Sequence, residues 1–134
     1  MDLRTVAQDI GGAWYKIHTR FGTCEVELNP SPKEFGDLYR KLVEPFARYM
    51  AKHNGALPPG VDDDISRQCV AKTALRGWRN ITDDNGEPLA FSVENALALM
   101  KREVVGDQFL RGALAAVTDL HEVVATEVSD TEKN

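Results

Sequence analysis

Three histidines, two cysteines and two runs of aspartate are the residues here whose chemistry suits metal binding or proton transfer. His18, His53 and His121 fall in a predicted strand, a loop and a helix, far apart along the chain. His121-Glu122 lies on a helix, but no second histidine follows four residues on to share the face, as a zinc helix requires. Asp83-Asp84-Asn85-Gly86 has the composition of a calcium loop. Such a loop needs alternating oxygen ligands and a closing bidentate glutamate, whereas these acids are adjacent and Pro88 intrudes. A turn with Asn85-Gly86 at its tip is the simpler reading. Asp62-Asp63-Asp64 offers carboxylates to a divalent cation, but it also opens a predicted helix, where negative charge meets the positive end of the macrodipole. Cys24 and Cys69 belong to different elements and form no CxxC pair. Free thiols are favoured over a disulfide or a shared metal. Cys69 would need a distant histidine to act as a nucleophile, and a lone cysteine in a helical stripe is usually packing. No catalytic, cofactor-binding or metal-binding residue is assigned, and no cofactor is implied.

The background is that of an ordinary globular chain of 134 residues, 43% hydrophobic and 28% charged, with net charge -5. That length suits one domain with a modest core. The negative balance argues against nucleic acid unless basic residues gather on one face. Lys72, Arg76 and Arg79 lie close together, but Asp83 and Asp84 follow at once. Met1-Asp2-Leu3-Arg4 opens no apolar signal segment, and no apolar run is long enough to cross a membrane.

The elements that position these residues follow from periodicity. Thr23-Cys24-Glu25-Val26-Glu27-Leu28 alternates strictly, so residues 13–28 read as a β-hairpin turning at Phe21-Gly22. Asn29-Pro30-Ser31-Pro32-Lys33-Glu34 is a strong helix start, with Ser31 as cap, Pro32 at the first helical position and Glu34 completing a capping box. Phe35, Leu38, Tyr39, Leu42, Val43, Phe46 and Met50 then form an apolar stripe over a helix at 31–52. Pro45 kinks or divides it. A breaker-rich loop precedes a second helix at 62–78, its buried side marked by Ile65, Cys69, Ala71, Ala74, Leu75 and Trp78. Ser92 caps a short helix at 92–101. Asp107 caps a last one at 107–128, with Leu110, Ala113, Leu114, Val117, Leu120 and Val124 inward. Residues 129–134 form a polar tail expected to fray.

Trp14, Tyr15 and Phe21 are the candidate partner-binding residues. Trp14 and Tyr15 are adjacent on a strand, so their side chains leave opposite faces, and one must be covered from outside or left partly exposed. An edge hairpin with an aromatic on each face offers an unpaired backbone row together with anchors, which suits strand addition or oligomerisation.

The stretch Leu75-Arg76-Gly77-Trp78, the acidic turn with Gly86, and Pro88-Leu89-Ala90-Phe91-Ser92-Val93-Glu94-Asn95-Ala96-Leu97 resembles the tail assembly chaperones of long-tailed bacteriophages. Asn29 followed by Phe35, Leu38 and Pro45, the N-terminal strand pair and the Glu132-Lys133-Asn134 ending support the likeness, which covers most of the chain. The resemblance implies a small, mostly helical, non-enzymatic protein of the host cell cytoplasm. It would coat the tape measure protein, keep it soluble, assist polymerisation of the tail tube protein and leave before the virion matures. Many proteins of that family are also made in a longer, frameshifted form, of which this sequence would be the short one.

The expected fold is mainly α with a small N-terminal β-hairpin (α+β), about four helices in one compact domain spanning residues 1–134. The expected function is a tail assembly chaperone working by reversible protein binding. Self-association into a homo-oligomer or head-to-tail array is expected, since linked weak sites suit a long repetitive client. Neither nucleic acid nor membrane is an expected partner. The alternatives are a tail completion or connector protein retained in the virion and, further off, a small ligand-binding regulator.

Overall fold

The computed structural model describes residues 7–133. The opening residues read for a secretion signal and the final Asn134 of the expected tail lie outside that range.

A four-stranded antiparallel sheet stands at the centre, in the order β1 (Ala7–Gly11), β2 (Trp14–Thr19), β3 (Gly22–Leu28) and β4 (Leu75–Arg79). This corrects the expectation of a mainly helical fold with a small hairpin at 13–28. β2 and β3 are that hairpin, but it carries a strand on each side. β1 joins β2 through Gly12 and Ala13, both at positive φ, 62° and 66°. That pair of conformations makes the turn whose twist matches antiparallel strands. Gly11-Gly12 was therefore a legible hairpin signal, hidden because Ala7-Gln8-Asp9 has little strand propensity.

The second correction concerns 62–78. Helix α3 covers only Val61–Cys69, widens into a π-helical turn at Val70–Ala74, and the chain then extends as β4. Thr73 Oγ1 donates to the Cys69 carbonyl at 2.7 Å and the Leu75 N–H reaches back to the Val70 carbonyl, closing the wide turn. Leu75 and Trp78 are both buried although three residues apart. A bulge makes this possible: Leu28 opposes Leu75 while Glu27 opposes Gly77, so Arg76 is left over. The extra residue gives a strand the i, i+3 spacing of a helix. Periodicity alone misreads it.

The inner face of the sheet presents Tyr15, Ile17, Cys24, Val26, Leu28 and Trp78 to helices α4 (Val93–Met100) and α5 (Val105–Lys133), and one cluster joins them to Phe109, Leu110, Ala113 and Val117. Trp78 meets Phe91 and Phe109 edge-on, at 5.2 and 6.2 Å between ring centroids, and its indole N–H donates to the Leu89 carbonyl at 2.7 Å. Ser92 caps α4 as expected, accepting from the Asn95 N–H at 3.0 Å. α5 starts two residues before the expected cap Asp107 and continues past residue 128 to Lys133. Gly106 packs so tightly that a Cβ there would lie 2.6 Å from the Met100 carbonyl oxygen.

Between β3 and α3 the chain makes an excursion. Its helical part is α1 (Pro32–Val43), a 3-10 turn at Glu44–Phe46 set by Pro45, and α2 (Ala47–Lys52). None of these residues is fully buried, and of the apolar stripe only Phe35 packs against the main cluster. α1 lies on α3 and the π-helical turn; α2 lies on the 3-10 turn. Asn29 ties the base of this arm together. Its amide N–H groups donate to the Thr73 carbonyl and to Glu34, and its Oδ1 accepts from the Ser31 N–H and from Arg76. Glu34 thus serves Asn29 rather than closing a capping box on Ser31.

Candidate partner-binding surfaces

The three aromatics nominated from sequence go to three different environments. Tyr15 faces inward with 1% of its surface exposed, and its hydroxyl donates to Asp119 Oδ2 on α5 at 2.7 Å. Burial, followed by that hydrogen bond to a carboxylate, raises its pKa well above the ordinary tyrosine value. It is a core residue. Trp14, its neighbour, is half-buried on the opposite face, with the Arg79 guanidinium 3.8 Å from its ring centroid and Arg79 held by Glu25 at 2.9 Å. The cation over the ring covers part of the indole that a partner would need. Phe21 stands at the β2–β3 turn, 68% exposed. Trp14 and Phe21 lie at opposite ends of the β2–β3 ladder, so they form no common patch.

Phe21 lines an open cleft of about 600 Å³. Cys24, Leu99 and Phe109, all buried, supply apolar lining, and Ile81 adds a half-buried wall. The rim is polar. Arg102 reaches Asp84 at 2.7 Å, and Asn80, itself at φ 65°, donates from its side chain to the Thr23 carbonyl at 2.6 Å. Burial pushes the Cys24 thiol up to about 11, so it stays protonated and unreactive near neutral pH. The loop beneath the cleft holds Val104 at φ 63°, with the Val105 N–H bonded to the Glu103 carbonyl at 2.7 Å. That is a γ-turn of the rare positive-φ kind on a β-branched residue, a conformation kept only where its surroundings impose it. Sequence reasoning missed this wall, because 80–84 and 102–105 meet only in three dimensions.

The remaining sequence candidates are dispersed. His18 pairs with Thr23 Oγ1 at 3.2 Å, His53 stacks on Tyr49 at 3.7 Å between centroids, and His121 is half-buried in α5. Cys69 is a buried free thiol, also raised to about 11 by burial. Among the described residues no cluster of three or more His, Cys, Asp or Glu is placed to hold a metal. Asp63 is engaged at 2.7 Å by Arg111 of α5, so the acidic start of α3 is partly a tie between helices. Asp83 shapes the acidic turn, its Oδ1 accepting from the N–H groups of Asn85 and Glu87. Among the described residues no helix is long and apolar enough to cross a membrane.

The protein is phage-derived, and the evidence for this is the match of a family model. The model for YdaY prophage protein covers residues 30–134, and the chain belongs to that family. The match takes in the arm, β4, α4 and α5, and leaves β1–β3, with Trp14, Tyr15 and Phe21, outside it. No curated protein and no solved structure matches the chain significantly.

Proposed function

We propose that this protein is a phage tail assembly chaperone that binds the tape measure protein in the host cytoplasm, keeps it soluble while tail tube protein polymerises, and is absent from the virion. Its membership of a prophage family and the resemblance carried by residues 75–97 support the reading. The observation that carries it is Phe21, an exposed aromatic beside a cleft with an apolar lining. A helical client with regularly spaced apolar side chains can seat one there and release it, since a single anchor gives only a weak contact. Chaperoning requires that weakness. Many such contacts along one client add by effective concentration.

The test is co-expression with a candidate phage tape measure protein. Soluble recovery of that protein should rise with the wild-type chain and fall at least about threefold with Phe21→Ala, while circular dichroism shows the variant folded. Equal recovery with and without the chain overturns the proposal. Detection of the chain in purified virions would instead support a tail completion or connector protein. The cleft favours one further reading, ligand binding. Native mass spectrometry that finds a small molecule retained by the purified protein would establish it in place of the chaperone role.

A further inference from the structure

The tip of the arm and one side of the cleft carry opposite charge. From Lys41 to Lys52 the chain holds Lys41, Arg48 and Lys52 against Glu44, a net charge of +2 in a chain of net -5. All four are exposed, and among the described residues none of the three cations forms an ion pair. Phe46 and Met50 lie between and beside them, half-buried and outside the main cluster. His53 covers one face of Tyr49, which leaves Phe46 and Met50 as the free apolar groups. This end of the arm is therefore basic and apolar at once.

The cleft has the converse character. The acidic turn and the segment after α4 carry Asp83, Asp84, Glu87 and Glu103 against Lys101 and Arg102, a net charge of -2. Arg102 is already committed to Asp84 at 2.7 Å. Glu87 and Glu103 are exposed and, among the described residues, form no ion pair. The β2–β3 turn, which supplies Phe21, adds Arg20, so the negative charge gathers where residues 83–87 and 101–103 meet. The apolar lining of Cys24, Leu99 and Phe109 adjoins it, and about 600 Å³ is ample for one large side chain. No residue of the arm lines the cleft, so within one chain the two surfaces do not meet.

We propose that the arm tip of one molecule docks in the cleft of a second copy, and that a client has to displace it. Phe46 or Met50 fills the apolar lining beside Phe21, while Arg48 and Lys52 meet Glu87 and Glu103. Opposite charge steers and orients the encounter but adds little affinity at exposed positions, so the contact is weak. A client presenting many apolar side chains then wins through effective concentration, which a single tip lacks. Until it arrives, the exposed aromatic is kept from indiscriminate association. The tip and the cleft differ, so a chain whose cleft is filled still offers its own tip. This rests on the reading of the cleft as the client's seat and adds a regulation to that same site.

Sedimentation velocity on the purified full chain, from micromolar to millimolar protein, tests the docking. The wild type should grow with concentration. Arg48→Glu with Lys52→Glu should weaken that growth at least about tenfold, as should Glu87→Lys with Glu103→Lys, and Phe21→Ala should weaken it too. Mixing the two charge-reversed variants should restore association, because each then offers the charge the other lacks. Thermal melts of each variant verify that it remains folded. Co-expression with a candidate tape measure protein tests the competition: the Arg48→Glu, Lys52→Glu chain should recover at least as much soluble client as the wild type. A wild type that stays monomeric at millimolar protein overturns the proposal, as does association indifferent to the reversals or to Phe21→Ala, or a mixture that fails to recover. Loss of client recovery with the tip variant also overturns it, since the tip would then hold the client itself. Client recovery untouched by the wild-type chain, with association as described, would instead sink the chaperone reading and leave the docking of copies standing.

Discussion

At the scale of single residues, the backbone at Val104 records a conflict. A β-branched side chain at positive φ costs roughly 1–2 kcal/mol against glycine. The neighbouring close approach of Gly106 to Met100 leaves the loop little room to relax. Val104 is 49% exposed and contributes little to the core. Val104→Gly should therefore stabilise the fold by about 1 kcal/mol, with unfolded-chain entropy offsetting part of the gain. Urea unfolding would read this as a higher midpoint at unchanged slope; a lower midpoint would show that the valine side chain holds the loop.

At the scale of elements, Asn29 is the residue on which the arm and the sheet jointly depend. It is 3% exposed, its backbone N–H donates to the Ala74 carbonyl at 2.8 Å, and its side chain joins the starts of α1 and β4 to the π-helical turn. Removing it strands two donors, the Ser31 N–H and Arg76, and one carbonyl. Asn29→Ala should destabilise by about 2–3 kcal/mol, read as a drop in the unfolding midpoint; a change under about 0.5 kcal/mol would mean that water replaces every partner. From sequence, Asn29 appeared only in the lead-in to the Ser31 cap and among the residues that carry the resemblance. Much else was legible: the alternation at 23–28, the caps at Ser31 and Ser92, the break at Pro45 and the Asn85-Gly86 turn all have local causes. What escaped is non-local. β4 pairs with β3 across 46 intervening residues, and its bulge gives Leu75 and Trp78 a helix-like spacing. β1 is specified by its turn more than by its own residues. The cleft escaped for the same reason, since three separate segments build it.

At the scale of the whole molecule, three buried groups hold protons that the unfolded chain gives up sooner. Tyr15, Cys24 and Cys69 all have pKa values raised, chiefly by burial, from ordinary values of 10.0, 9.0 and 9.0. Below about pH 9 both states keep these protons, and the fold retains their full contribution. As pH rises past the unfolded values the unfolded chain sheds protons first, so it binds fewer than the native state and stability falls. The decline should run from about pH 9 through 11, where the thiols titrate in the fold, and steepen with Tyr15. Melting temperatures at half-unit steps from pH 7.5 to 11 would show a plateau and then a slope; a rise above pH 9 would contradict the burial of these groups.

The place where the chain leaves and rejoins the sheet carries a wider consequence. Asn29 and Ala74 are bonded to each other, so residues 30–73 form a cassette whose two ends already touch. Closing so short a gap imposes little constraint on what lies between, because loop entropy changes only slowly with length. Changes of length or charge confined to its outer part, from α1 to α2, would therefore leave the sheet as it is, together with the buried Ile65, Cys69, Val70 and Ala71 that the cassette lends to the core.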